Sequence, residues 1–304
     1  MSDRPGDTGA GEGTITWRQL WDETARVVGG RAPARWLCEV ASGTDGDEFR
    51  GVLDEPATER MVAHLDAMLG RWRAGEPLQY VLGRWAFRHL DLLVDRRVLI
   101  PRPETEQVVD VALAAVADRR DPLVVVDLGT GSGAIGLALA SELGARAESV
   151  WLTDASADAL DVARANTSGI GRHAARVRVA APGDWFDALP TELAGRIDLL
   201  VSNPPYVADD DERLEPIVRD WEPAPALFAG PDGLDAIRHI VASAPPWLAP
   251  GAVIVLEIGD GQGPAVAALL RSAGFGDVMV LPDLAGRDRV VLGRMPAGPP
   301  DAPA

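Results

Sequence analysis

From Leu123 onward, short apolar runs alternate with longer segments of helical periodicity. Apolar runs typical of buried strands occur at 123–128, 149–153, 175–179, 197–202, 252–258, 277–281 and 289–293. Segments with helical periodicity fall between them, at roughly 133–143, 156–167, 232–248 and 262–273. Because strands that alternate with helices build parallel sheets covered on both faces, this pattern predicts an α/β fold with a doubly wound, mostly parallel sheet.

The first hundred residues have a different character. Residues 1–13 are rich in Gly, Asp and Ser, and we predict a disordered tail there. Helical periodicity over 14–77 predicts a small helical domain. Thr16 and Gln19 have the spacing of a capping box, which marks the start of its first helix.

The stretch 78–101 is interpreted as a β-hairpin that links the helical domain to the α/β domain at 102–294. Residues 80–83 and 90–94 are its predicted strands, and 95–97 is a predicted turn between strands. Pro and Gly recur at 295–304, where we predict a loose tail.

Composition narrows the possible functions. The chain has 304 residues, no lysine and a net charge of -17, which argues against a broad nucleic-acid-binding surface because such surfaces neutralise phosphates. The acidity fits a small-molecule substrate or a basic protein partner better.

Cys38 is the only cysteine, so an internal disulfide is impossible, consistent with a reducing compartment. The four histidines lack metal-ligand spacing, and we predict no metal site.

The N-terminus is polar and Gly-rich, unlike a secretory signal, and no apolar run is long enough to span a membrane. On these grounds we expect a soluble cytoplasmic protein without membrane partners.

A glycine-rich loop follows the first strand of the α/β region. It consists of Gly129, Thr130, Gly131, Ser132 and Gly133. Alternate glycines permit a sharp turn and close approach of a ligand, and loops of this kind commonly bind nucleotide-like cofactors. The spacing is GxGxG rather than GxGxxG and no lysine follows, which disfavours dinucleotide and ATP binding. A structural turn is the alternative.

Two further residues fit a cofactor that contains a nucleoside. Asp154 ends the second predicted strand, where an acid can accept hydrogen bonds from ribose hydroxyls. Its alternative role is to cap the helix that begins near Ser156. Trp185, in the loop after the third strand, either covers an adenine ring or packs in the core.

A tetrapeptide ends the fourth predicted strand, at the edge where open α/β sheets bind ligands. It consists of Asn203, Pro204, Pro205 and Tyr206. The prolines stop the strand and stiffen the chain, while the amide, a free carbonyl and the aromatic ring suit a planar nitrogen group. A strand-ending turn without function is the alternative.

These motifs together resemble class I S-adenosylmethionine-dependent methyltransferases. The resemblance implies a Rossmann-like seven-stranded sheet, with S-adenosyl-L-methionine as cofactor and S-adenosyl-L-homocysteine as product. The tetrapeptide at 203–206 resembles the signature of enzymes that methylate planar nitrogens. Adenine-N6 DNA methyltransferases and protein glutamine methyltransferases share that signature.

The segment 99–106 favours the protein methyltransferases. Its sequence, Leu-Ile-Pro-Arg-Pro-Glu-Thr-Glu, resembles the segment before the cofactor loop in bacterial peptide chain release factor glutamine N5-methyltransferases. Further matches to that family are Gln79, Tyr80, Gly83, Glu222, Pro223, Ala226, Leu227, 230–235, 257–259, Gln262, 283–286 and Arg289. The chain departs from the family pattern around Phe87, where Ala86 and Arg88 replace an acid and an aromatic residue.

The resemblance implies methyl transfer to the side-chain nitrogen, N5, of the glutamine in the Gly-Gly-Gln loop of peptide chain release factors. Asn203 and the Pro204 carbonyl would accept hydrogen bonds from the substrate amide, Pro205 would complete the rigid wall, and Tyr206 would stack on the amide plane. The cofactor would contact the glycine loop, Asp154, Trp185 and Asn203. The helical domain and hairpin would dock the release factor.

Three other functions fit parts of this pattern. An adenine-N6 nucleic-acid methyltransferase would use Asn203 on a flipped base, although the acidity and the segment 99–106 count against it. Methylation of a glutamine in a ribosomal protein would use the same site. The third is a cofactor-binding protein without catalysis. An eroded glycine loop or tetrapeptide would favour that function, but both motifs are intact.

Overall fold

The computed structural model describes residues 15–297, and the chain divides into two compact units between Leu82 and Gly83. The predicted tail at 1–13 and residues 298–304 of the second predicted tail lie outside the described residues. The hairpin belongs to the second unit.

Within residues 15–82, the first unit is helical. Its helices are α1 Trp17–Val28, α2 Arg31–Ser42, α3 Gly46–Gly51, α4 Glu59–Arg73 and α5 Leu78–Leu82. The predicted capping box is confirmed, since the Thr16 hydroxyl accepts from the Gln19 amide and the Gln19 side chain accepts from the Thr16 amide. Trp17, Leu37, Phe49 and Leu65 are buried in the core of this unit. Trp36, on α2, is 40% exposed.

The prediction of a strand at 80–83 was wrong, because these residues lie in or next to α5. The Val81 amide donates to the Pro77 carbonyl at 3.0 Å, a helical pairing, and Tyr80 and Val81 are buried. Arg71 donates to the carbonyls of Tyr80 and Val81 at 2.8 and 3.2 Å and so satisfies the end of the helix. A short apolar run cannot be assigned to strand or helix by periodicity alone.

The second unit begins with a hairpin of β1 Arg84–Phe87 and β2 Leu90–Leu93. Its turn lies at Arg88, which has a φ of 53°. The predicted turn at 95–97 is confirmed and follows β2, where the Val98 amide donates to the Asp95 carbonyl at 3.1 Å. The Arg88 guanidinium pairs with Glu142 at 2.5 Å and with Asp110 at 2.8 Å, and this fastens the hairpin tip to two helices.

A seven-stranded sheet forms the centre of the second unit, as predicted, in the order β5-β4-β3-β6-β7-β9-β8. The strands are β3 Leu123–Leu128, β4 Ala147–Thr153, β5 Val177–Val179, β6 Ile197–Ser202, β7 Leu248–Glu257, β8 Gly276–Pro282 and β9 Asp288–Arg294. Strand β9 runs antiparallel to both of its neighbours, and the other pairs are parallel.

Helices cover both faces of this sheet. They are α6 Glu106–Ala115, α7 Ala134–Leu143, α8 Ala157–Gly169, α9 Pro216–Trp221, α10 Asp235–Ser243 and α11 Gly263–Ser272. Every residue of β3 is buried, with Val125 in the core on one face and Val126 in the core on the other. This two-sided burial explains the continuous apolar run in the sequence.

Candidate active site

The sheet register brings the predicted site residues together. Leu128 lies opposite Thr153 on one side and opposite Ser202 on the other. Because these three strands are parallel neighbours, the residues that follow them emerge at one edge of the sheet. The glycine loop, Asp154 and Asn203 therefore lie at the same edge.

The glycine loop leaves β3 in a conformation that few residues adopt. Gly129, Gly131 and Gly133 have φ values of 66°, 56° and 88°. Nothing lies near the position of a Cβ at Gly131, so backbone conformation alone requires glycine there. At Gly133 a Cβ would also lie 2.9 Å from the Leu137 side chain. The loop backbone is thus open to a ligand.

Asp154 has a structural task that differs from the helix capping considered as its alternative role. Its two oxygens accept from the amides of Gly131 and Ser156, each at 2.9 Å. Ser156, not Asp154, is the N-cap of α8. Desolvation raises the pKa of Asp154, and the backbone amides of Ser156 and Gly131 oppose this. Each carboxylate oxygen keeps a second lone pair for a ligand hydroxyl.

Asp127, at the end of β3, is a buried acid that sequence reasoning did not assign a role. Its Oδ2 accepts from the Thr130 hydroxyl at 2.6 Å and from the Gly136 amide at 2.9 Å. Its Oδ1 has no hydrogen-bond partner among the described residues. Burial raises the pKa of Asp127 to about 7, while the Thr130 hydroxyl and Gly136 amide oppose the shift.

A first cavity of about 240 Å³ lies against these residues. Its lining includes the three acids Asp127, Asp154 and Asp184, and Arg97. Six other residues of the predicted cofactor site line this cavity, and Gly133 does not. The six are Gly129, Thr130, Gly131, Ser132, Trp185 and Asn203. Trp185 has a φ of 45°, and its ring lies 3.6 Å from where a Cβ on Gly129 would be. The ring therefore lies close to the loop backbone.

The tetrapeptide begins where β6 ends. The Ser202 hydroxyl donates to the Leu128 carbonyl at 2.7 Å, and the half-buried Asn203 donates from Nδ2 to the Thr105 hydroxyl at 3.4 Å. Pro204 is buried and lines neither cavity, while Pro205 lines the first. The Tyr206 hydroxyl donates to Glu257 at 3.1 Å.

A second cavity of about 260 Å³ lies beside the first. It is lined by Tyr206 and by apolar side chains that include Val207 and Val218, together with Arg102. Asn203, Leu99 and Ala226 line both cavities. The Asn203 side chain is therefore placed where a ligand in one cavity would meet a ligand in the other.

Four residues support the site although the sequence analysis assigned them no role. Glu222 pairs with Arg102 and accepts from the Ile100 amide at 3.1 Å, which ties the segment 99–106 to the chain after α9. Thr105 and Glu257 contact the side chains of the tetrapeptide, and Gln262 donates to the Tyr206 carbonyl at 3.1 Å. Two signals could have identified Glu257: it is an acid within the apolar run 252–258, and it belongs to the family match at 257–259.

Within residues 15–297, no group of three or more His, Cys, Asp or Glu side chains is arranged to hold a metal ion. In the same range, no helix combines the length and apolar character needed to cross a membrane.

The buried carboxyl of Asp127 predicts a pH-dependent stability. Its folded-state pKa of about 7 lies above the ordinary value of 3.8, so the folded chain holds the proton more tightly than the unfolded chain. The stabilisation from that proton is complete below the unfolded pKa and is lost as the pH rises through the folded pKa. Between about pH 5 and pH 7, the free energy of unfolding should fall by up to about 1.4 kcal/mol per pH unit through this group.

Urea unfolding of the wild type and of Asp127→Asn over this pH range measures the effect. An asparagine can keep an oxygen at the Oδ2 position but cannot ionise, so the slope should be smaller in the variant. Equal slopes in the two proteins would contradict the assignment of the raised pKa to Asp127.

Comparison with known proteins shows which families this chain resembles. Residues 108–220 match the family model of the methyltransferase small domain, and residues 24–83 match that of the PrmC N-terminal domain. A solved methyltransferase from Pyrococcus furiosus is 17% identical, with a TM-score of 0.50, and the match covers 76% of this chain and 99% of that chain. At this identity the likeness bears on the fold alone.

Two curated relatives are closer in sequence. The release factor glutamine methyltransferase of Cereibacter sphaeroides is 42% identical over 278 residues, which cover 91% of this chain and 93% of that protein. The release factor glutamine methyltransferase of Bordetella pertussis is 45% identical over 260 residues, covering 86% and 93%. Identity of this degree over most of both chains shows that this chain belongs to the release factor glutamine methyltransferase family.

Proposed function

We propose that this chain transfers a methyl group from S-adenosyl-L-methionine to the N5 side-chain nitrogen of the glutamine in the Gly-Gly-Gln loop of a peptide chain release factor. The observation that carries the proposal is the shared lining of the two cavities by Asn203. A methyl donor in the first cavity and a glutamine amide in the second would meet at this side chain. Family membership supports the glutamine and the release factor as substrate.

The residues of the first cavity fit the cofactor chemically. Asp127 has an orphaned, buried carboxyl oxygen and lines the cavity together with Asp154, so the site offers carboxyl oxygens to the hydrogen-bond donors of a ligand. The open backbone of the loop 129–133 allows close approach. S-adenosyl-L-methionine supplies a methyl group that is already activated by the positively charged sulfur to which it is bonded.

In this proposal, Asp154 accepts hydrogen bonds from the ribose and Trp185 covers the adenine. The glycine loop contacts the remainder of the cofactor through Gly129, Thr130, Gly131 and Ser132. Gly133 contributes through the turn that it permits at the start of α7 rather than by lining the cavity.

The chain's task in the reaction is placement and polarisation. An amide nitrogen is a poor nucleophile because its lone pair is delocalised into the carbonyl. Asn203 lines both cavities, and its Oδ1 accepts a hydrogen bond from the substrate NH2 and orients that nitrogen toward the first cavity. The Pro204 carbonyl is the second proposed acceptor, and because Pro204 lines neither cavity, this contact requires the substrate NH2 to reach the backbone behind Asn203. These contacts strengthen as positive charge grows on the nitrogen, so they favour the transition state over the ground state. Pro205 stiffens the wall between the cavities, and Tyr206 stacks on the amide plane. The released proton passes to water.

The partner in this proposal is the release factor, and the first unit and the hairpin provide its docking surface. A cytoplasmic location stays a prediction from the cysteine content and the polar N-terminus.

Incubation with cofactor that carries a labelled methyl group tests the proposed substrate. Release factor, ribosomal protein and DNA are offered separately, and each is then examined for label. We expect label on the release factor, lost when the glutamine of its Gly-Gly-Gln loop is replaced. Label on DNA or ribosomal protein alone would overturn the proposal.

Asn203→Ala should lower kcat by about 100- to 1000-fold, because it removes a transition-state hydrogen bond. The affinity for S-adenosyl-L-homocysteine, measured by calorimetry, should stay within a few-fold of the wild type. Ser202→Ala is the matched control, since Ser202 lines neither cavity and donates only to the Leu128 carbonyl. Its kcat should stay near the wild-type value. Full turnover in Asn203→Ala would reject the role of Asn203.

Asp154→Ala should weaken binding of S-adenosyl-L-homocysteine by about 10- to 100-fold, because hydrogen bonds to a charged acceptor are lost. Asp154 also holds the Gly131 amide, so an analogue without the two ribose hydroxyls separates the two roles. Calorimetry should show that the wild type binds this analogue weakly and that the substitution hardly weakens it further. An equal loss for both ligands would reject hydrogen bonding to the ribose.

A further inference from the structure

Tyr206 is held by contacts that lie outside both cavities. Its hydroxyl donates to Glu257 Oε1 at 3.1 Å, and its carbonyl accepts from Gln262 Nε2 at 3.1 Å. Neither Glu257 nor Gln262 lines a cavity. Gly233 packs against the same carbonyl so closely that a Cβ there would lie 2.3 Å from it. The backbone and the ring of Tyr206 are therefore fixed by separate groups.

Glu257 is an unusual residue for its position. It ends β7 after five buried apolar residues, and it is 1% exposed. Burying a carboxylate is costly, whereas a leucine would extend the apolar run at no such cost. Burial raises the pKa of Glu257, and the Thr105 hydroxyl, Arg289 and the Tyr206 hydroxyl oppose that rise. Packing alone does not account for an acid here.

The amide of Asn203 is oriented by a separate contact. Its Nδ2 donates to the Thr105 hydroxyl at 3.4 Å. With the NH2 group turned toward Thr105, Oδ1 is left for another partner, and this is the orientation needed to accept from a substrate NH2 group. The second carboxyl oxygen of Glu257, Oε2, is buried and has no hydrogen-bond partner among the described residues, so the contact of Glu257 with the tetrapeptide is the one through Tyr206.

We propose that Glu257 is a positioning residue for methyl transfer, which fixes the Tyr206 ring through the hydrogen bond from its hydroxyl. It touches neither substrate nor cofactor, and it acts by holding the Tyr206 side chain in the orientation that the reaction uses. This inference rests on the proposed function.

The test compares Glu257→Leu, which removes the acceptor, with Glu257→Gln, which keeps an acceptor oxygen for Tyr206. We expect kcat for methylation of the release factor to fall by about 10- to 100-fold in Glu257→Leu, as misplaced catalytic groups do. In Glu257→Gln, kcat should recover to within a few-fold of the wild type. KM for the release factor and the affinity for S-adenosyl-L-homocysteine should change little in either variant, because no cavity wall is altered.

Tyr206→Phe examines the same hydrogen bond from its other end with the loss of a single oxygen atom. Its kcat should fall as well, and the double variant with Glu257→Leu should be no slower than the slower single variant. This variant keeps the inference testable should Glu257→Leu fail to fold. Asp198→Asn, which changes a partly buried acid paired with Arg119 near the start of β6 and away from both cavities, is the control and should keep the wild-type kcat.

Three results would overturn the inference: a kcat within twofold of the wild type in Glu257→Leu or in Tyr206→Phe, losses that multiply in the double variant, or no recovery in Glu257→Gln. A wild type that labels no release factor contradicts the proposed function instead. The two failures are therefore distinguishable within one assay.

Discussion

The parallel pairing of β3 with both β4 and β6 is the constraint on which the site depends. Since Leu128 lies opposite both Thr153 and Ser202, the three strands end level with one another. The glycine loop, Asp154 and Asn203 then share one edge although they are far apart in sequence. A register shift of one residue in either pair would turn buried side chains of the strand to the opposite face of the sheet. The burial of β3 on both faces makes such a shift costly.

Rigidity at this edge comes from polar groups buried behind the site. The Asp154 carboxylate holds the glycine loop through the Gly131 amide, and Asp127 holds the turn through Thr130. On the substrate side, Glu257 and Gln262 hold Tyr206. Catalysis by placement needs such support, because it depends on reacting groups that are oriented before the substrate arrives. The acids that support the site are therefore part of how it works.

The sequence predicted the fold where its signals are local. Strands 123–128 and 197–202 were predicted with the bounds they have, because a continuous apolar run between turn residues defines a buried strand. The strand prediction at 80–83 failed because a run of four residues has no decisive period, and the contacts of Arg71 that favour a helix are not local signals. The contact between Tyr206 and Glu257 could not be predicted, because it joins residues 51 positions apart and depends on the strand order. For Asp154 the sequence offered ribose binding or capping of the next helix. Ser156 is the cap, and the contact of Asp154 with the Gly131 amide depends on the loop conformation, which the sequence does not show.

The central claim is that Asn203 lies between a methyl donor and a glutamine amide. A crystal structure of the chain with S-adenosyl-L-homocysteine and a release factor peptide that contains Gly-Gly-Gln tests it most directly. The account predicts the cofactor product in the cavity lined by Asp127 and Asp154, and the glutamine NH2 within hydrogen-bond distance of Asn203 Oδ1 in the cavity lined by Tyr206. A glutamine side chain bound away from Asn203, with the cofactor product in place, would contradict it.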